Sequence, residues 1–334
     1  MRLLKCSQDG EISLTEELFD TTPPYAILSH VWSQNVDEEV AFGDMEGGNW
    51  RSKPASTKLD FGSEQVRRDG LEYFWVDTCC INRSTMDEVQ ESINSMFQWY
   101  RNATQCYVYL SDVSTNASLP DNDQTDLSWE AAFRGSRWFT RGWTLQELLA
   151  PASVQFFSRE GVRLGDKLSL EGVIHDVTKI PISALQSPGS FNRFDVDERL
   201  RWAEGRQTTR KEDWAYCLLG IFGVFMPLNY GEGKDNAVRR LRREIESTPK
   251  RQGLSNISTM CMSGSLITSR MAPETLYLPL PRPQGPESAS SRRNMPMVHR
   301  PSTLPGLAAE HSASFTLGVC RSRMRKVGLV KIFG

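Results

Sequence analysis

Four short runs of β-branched and aromatic residues limit what this chain can become: Tyr25–Leu28, Tyr73–Val76, Cys106–Leu110 and Val154–Phe157. Each is apolar, save for Gln155 in the last, and bounded by polar or turn-forming residues, and so reads as a buried strand. Between the second and third, Val89, Ile93, Met96, Phe97 and Tyr100 recur at spacings of three and four, which predicts one apolar face of a helix over 87–102. Helical stretches are also expected at 63–69, at 143–149 and, strongly basic, at 237–245. Strands alternating with helices predict an α/β fold, a mostly parallel sheet flanked by helices.

The composition allows a buried core. Of 334 residues, 39% are apolar and 24% charged, which excludes a wholly disordered, collagenous or disulfide-stapled chain. Seven cysteines, two of them adjacent at Cys79 and Cys80, match neither a disulfide framework nor a zinc-knuckle spacing, so no metal is expected. The start lacks the apolar run of a signal peptide, and the longest apolar stretch, 215–228, falls short of a membrane span. These features predict a soluble, cytoplasmic protein.

The near-neutral total charge hides two parts. Residues 248–334 carry 12 Lys+Arg against 3 Asp+Glu, whereas residues 1–247 carry 27 against 38. All nine tryptophans precede position 215, and nine of the 17 prolines follow 247. Without periodicity or enough apolar surface to offset its ordering entropy, 248–334 is expected to be a disordered basic tail. Its arginines have no interleaved aromatics, so no nucleic-acid partner is expected.

In a parallel sheet, ligands collect beyond the carboxyl ends of the strands. Ser29 and His30 stand just past the first run, Asp77 and Thr78 past the second, Ser111 and Asp112 past the third. Such residues also cap helices and start turns. For Asp112 the cap is the better reading. For Ser29, His30 and Asp77 both readings stand, because Trp32 and a Cys-Cys-Ile-Asn run follow with no capping role.

Three segments, Tyr25–Ser33 (YAILSHVWS), Phe74–Arg83 (FWVDTCCINR) and Arg141–Pro151 (RGWTLQELLAP), together resemble the signature blocks of the fungal heterokaryon-incompatibility (HET) domain. A fourth, Arg201–Lys234, looks like the segment that commonly follows that domain. The resemblance spans about residues 1–247 and implies three parts: a HET core over 1–160, a helical extension over 161–247 and the tail. It also implies an effector that triggers programmed cell death on nonself recognition, working as a homo-oligomer or with other incompatibility proteins. HET domains resemble, distantly, the Toll/interleukin-receptor (TIR) domains, which implies a TIR-like (flavodoxin-like) sheet. Several TIR domains cleave NAD, so NAD is the implied substrate, with no tightly bound cofactor.

Trp143-Thr-Leu-Gln-Glu147 is similar to the TIR Trp-x-x-x-Glu helix that holds the catalytic glutamate. On a helix, Trp143 and Glu147 share a face. An apolar neighbour raises a carboxyl pKa, while the ionised form can stabilise a ribosyl cation. Glu147 would do that or hold the ribose hydroxyls; its plain alternatives are an exposed helical glutamate, or a partner for Arg141 or Arg137. His30 would transfer a proton or place a phosphate. Ser29, Trp32, Asp77, Arg141 and Trp143 are the candidate substrate-binding residues, Arg141 because its fork can hold two phosphate oxygens.

Two other motifs carry less. Cys79 and Cys80 invite a cysteine-hydrolase reading but have no orienting third residue. Gly231-Glu-Gly-Lys234 departs from a phosphate loop at Leu228 and Asp235, and reads as a turn. Arg206, Arg210, Glu212 and Asp213 read as charge pairs between helices. The competing function is a noncatalytic assembly module. Convergence of Ser29, His30, Asp77, Arg141 and Glu147 on one pocket favours chemistry; scatter, or a buried and paired Glu147, favours assembly.

Overall fold

The four apolar runs form the centre of one sheet. In the computed structural model, which describes residues 1–7, 9–19, 21–115, 128–189 and 191–248, they become β3 (Tyr25–His30), β4 (Tyr73–Trp75), β5 (Gln105–Tyr109) and β6 (Val154–Phe157). Two three-residue strands, β1 (Leu4–Cys6) and β2 (Ile12–Leu14), and a four-residue strand, β7 (Arg163–Asp166), complete it. The order is β2-β1-β4-β3-β5-β6-β7. The described residues fall in one compact unit, and all but the first residue of the tail expected over 248–334 lies outside them.

β4, β3, β5 and β6 run parallel. Both edges are antiparallel, where β1 pairs with β2 and β4 and β7 pairs with β6. The sheet is therefore mixed where the sequence predicted a mostly parallel one. The edge strands escape the sequence reading because three or four residues give one or two alternations at most, too few to stand out as a period.

All six residues of β3 are buried, as expected for a central strand covered on both faces. Helix α1 (Ser56–Arg68) packs against β4 and β5. A four-residue helix α2 (Asp77–Cys80) starts directly after β4. Helix α3 (Met86–Asn102) buries Val89, Ile93, Met96, Phe97 and Tyr100, the residues its period singled out. Asp87 and Glu88 in its first turn and Arg101 in its last suit the helix dipole.

From β3 the chain moves one way in the sheet to β4, then crosses back past β3 to β5 and continues to β6. That reversal opens a crevice at the carboxyl ends of β3 and β5. Helix α4 (Thr144–Leu149) lies between β5 and β6 in sequence and packs on α3. Two short helices, α5 (Asp213–Tyr216) and α6 (Leu219–Phe222), and the basic α7 (Lys234–Ser247) follow, with α6 on α3 and α5 on α7.

The α3–α6 contact depends on the absence of a side chain. A Cβ at Gly220 would lie 2.0 Å from Phe97 Cβ, so any larger residue must push the helices apart. Gly220→Ala is expected to lower unfolding stability by about 1–3 kcal/mol, the usual cost of overpacking, read as a lower urea midpoint at unchanged slope. A midpoint equal to the parent's would show that α6 is not seated as described.

Candidate functional site

Six of the seven residues singled out in the sequence, His30, Trp32, Asp77, Arg141, Trp143 and Glu147, line one cavity at the crevice, together with Val31 and Thr144. The seventh, Ser29, sits behind Glu147 and donates its hydroxyl to Glu147 Oε2. Ser29, His30, Trp32 and Asp77 come from a strand end or the turn after it, whereas Arg141, Trp143 and Glu147 come from the start of α4 and the residues before it. Ser29 and His30 end β3, Asp77 opens α2 directly past β4, and Trp143 is the residue before α4.

Glu147 is buried, against the exposed alternative, and its surroundings explain why it tolerates burial. Ser29 Oγ accepts from Trp138 Nε1 at 2.7 Å and passes its own proton toward the carboxyl. The Tyr100 hydroxyl on α3 also bonds to Glu147. Desolvation dominates these contacts and pushes the carboxyl pKa up to about 8, with the Asp77 charge adding to the rise. Near neutral pH the acid is therefore largely protonated. The Trp143 side chain lines the same cavity.

Asp77 is half-buried and well partnered. It accepts from Trp32 Nε1 at 3.0 Å and pairs with Arg83 at 3.3 Å. The Arg83 guanidinium lies 4.2 Å from the Trp32 ring centroid, so indole, carboxylate and guanidinium hold one another in place. His30 is buried, with Nε2 3.7 Å from Glu39 Oε2. Glu39 in turn pairs with Lys58 at 2.6 Å.

A strap from the fourth segment fastens the Arg141–Trp143 wall. Gln207 N donates to Thr140 O at 2.6 Å, and Gly142 N donates to Gln207 O at 2.9 Å. A Cβ at Gly142 would meet Thr208 Cγ2 at 2.4 Å, so only glycine lets the two backbones pair here. Arg206, buried, donates to Arg141 O at 2.8 Å and to Thr144 Oγ1 at 3.0 Å. Burial lowers its pKa to about 10. Behind Trp143 lies Asp213, buried and raised to about 7 by desolvation, bonded by Tyr230 at 3.0 Å and by Trp143.

Arg206 and Asp213, read as helix-docking charges, therefore build the wall of the site instead. Tyr100, Trp138, Glu39 and Lys58 were missed altogether. Tyr100 carried one signal, a hydroxyl on an otherwise apolar helix face; the others carried none, because only folding brings them within reach. Cys79 and Cys80 are buried, and burial pushes their thiols up, Cys80 to about 12. No reactive thiolate forms under such conditions. The Gly231–Lys234 turn is an anion nest already filled, since the amides of Gly231 and Gly233 donate to Glu212 Oε1 at 2.9 and 2.8 Å.

The cavity measures about 30 Å³, the room of one water molecule. Among the described residues no cluster of His, Cys, Asp and Glu could hold a metal ion, and no helix is long and apolar enough to cross a membrane.

Comparison with known proteins adds a family. Residues 25–132 match the model of the heterokaryon incompatibility protein (HET) family. The vegetative incompatibility protein HET-E-1 of Podospora anserina is 53% identical over 246 residues, 73% of this chain and 18% of that protein. The chain thus spans under a fifth of the length of that relative. No solved structure matches it.

Because Glu147 binds more protons folded than unfolded, its contribution to stability is full below the ordinary carboxylate range and falls as pH rises toward 8. Glu147→Gln removes that term. The variant is expected to melt above the parent at pH 8 and to lose that advantage toward acid, the difference on the order of a few kcal/mol. Parallel melting curves across pH would mean that the parent carboxyl is ionised in the fold.

Proposed function

Since this chain belongs to the HET domain family, we propose that it acts in heterokaryon (vegetative) incompatibility, as an effector whose activated form kills the cell by cleaving NAD. The single observation that carries the enzymatic part is the convergence of six candidate residues on one crevice around Glu147. The strand order of the parallel core, second-first-third-fourth, is that of flavodoxin-like sheets and supports a TIR-like kinship. Residues 1–160 serve as the core in this reading, and 161–247 as an extension that walls the site through Arg206 and Asp213.

In the reaction, the bond between nicotinamide and ribose C1′ breaks. The nicotinamide leaves with the bonding electrons, and water adds to the ribosyl cation and gives up a proton. Ionised Glu147 would stabilise that cation, and His30 would take the proton. Trp32 and Trp143 offer ring faces, and Arg141 a fork for phosphate oxygens.

A pocket for a ligand of that size needs roughly 300 Å³ or more, ten times the present cavity. The closed wall also keeps Glu147 desolvated and protonated. Opening would admit substrate and ionise the acid together, so the described arrangement is the resting state and clustering the trigger. The chain would act in the cytoplasm, as a homo-oligomer or with other incompatibility proteins.

A second reading has its own support. Glu147 is buried and hydrogen-bonded, as expected of a noncatalytic assembly module. The two separate in one experiment: the full chain, fused to an oligomerising module, is incubated with NAD, and nicotinamide is measured. Release by the parent with a loss of about 10²-fold or more in folded Glu147→Gln supports cleavage. No release, with cell killing equal in parent and variant, establishes assembly.

A further inference from the structure

The ion pair behind His30 is more than structural scaffolding. Glu39 follows a short 3₁₀ turn (Val36–Glu38), and its backbone-fixed and charged donors all meet at one oxygen. Lys58 Nζ, from α1, donates to Glu39 Oε1 at 2.6 Å, and the Ser33 amide donates to the same atom. Lys58 is itself held by Val31 O at 3.2 Å. Oε2 is left to face His30 Nε2 at 3.7 Å. At that distance the contact is a charge contact rather than a hydrogen bond; both ring nitrogens are buried without a hydrogen-bond partner among the described residues, and the ring lines the cavity.

Burial opposes ionisation of Glu39, yet His30 and Lys58 together hold its carboxyl well below the usual range. It is therefore an anion at any physiological pH. Buried ion pairs of this kind can commonly be exchanged for apolar residues at little loss of stability. A carboxylate behind a site histidine, by contrast, fixes which nitrogen carries the proton.

We propose that Glu39, anchored by Lys58 and the Ser33 amide, is a positioning residue that holds the His30 ring proton on Nε2 and leaves Nδ1 as the site's proton acceptor. Its catalytic meaning rests on the NAD-cleaving reading above.

The one-sided anchoring gives a stereochemical test. In Glu39→Gln the amide oxygen must stay with Lys58 and Ser33, because both are donors, so the NH₂ group turns toward His30 Nε2. Nε2 must then accept, and the ring proton moves to Nδ1. Isotope-edited NMR of the histidine rings in the full chain, at a pH where they are neutral, reads this directly, with His30 assigned by its loss in His30→Asn. The expected result is an Nε2–H ring in the parent and an Nδ1–H ring in Glu39→Gln. Should the buried Lys58 charge prevent that variant from folding, Glu39→Gln combined with Lys58→Met removes both charges and predicts the same change. An Nδ1–H parent, or an Nε2–H ring in the folded variant, overturns the proposal.

Activity supplies the second arm. In the clustered chain, nicotinamide release should fall about 10²-fold with the tautomer change. A changed tautomer with undiminished release overturns the positioning role. A changed tautomer in a chain whose parent releases no nicotinamide overturns the NAD reading and leaves Glu39's control of the ring standing.

Discussion

Burying the Glu147 carboxyl at the end of the central strand is costly if it stays charged and tolerable if it is protonated and hydrogen-bonded. Its surroundings pull both ways: apolar packing excludes water and favours the protonated form, while the hydrogen bonds from Ser29, itself bonded by Trp138, and from Tyr100 lower the carboxyl's pKa without outweighing the desolvation. Ser29 and Tyr100 are fixed by the fully buried strand β3 and the buried face of α3. The acid therefore inherits its position from the core, and its protonation from the dryness of that core.

The same closure links chemistry to conformation. The wall of Arg141, Gly142 and Trp143 is tied to the 206–209 strap by paired backbones, by the buried Arg206 and by the Asp213–Trp143 contact. With the wall in this position the cavity is water-sized and desolvation raises the Glu147 carboxyl pKa. Solvation of such a site would favour the charged carboxylate, and a ligand or partner that bound a more open form better would shift the balance by its differential affinity alone.

Charge is distributed unequally across the crevice. Glu39 is held ionised by His30 and Lys58, while Glu147 and Asp213 are raised by burial. These three acids are thus driven in opposite directions around one site. Pairs of titratable groups driven apart by their environments are a recurrent mark of acid–base sites. Here the division follows the elements: the ionised Glu39 lies after the β3 end, and the two acids raised by burial lie on the later helices.

By itself the sequence determined the four central strands, the helix over 87–102 and the candidate residues at the strand ends. These depend on local period and on the rule that ligands gather at carboxyl ends, both of which act over a few residues. The tertiary structure alone decided the antiparallel edges, too short to show a period, and the partners that give the candidates their state. Tyr100, Trp138, Lys58, Arg206 and Asp213 are distant in sequence from the groups they touch. Burial, which sets the protonation of Glu147, is a property of packing rather than of any segment. A glutamate four residues after a tryptophan specifies a shared helix face; only the assembled core makes that carboxyl dry.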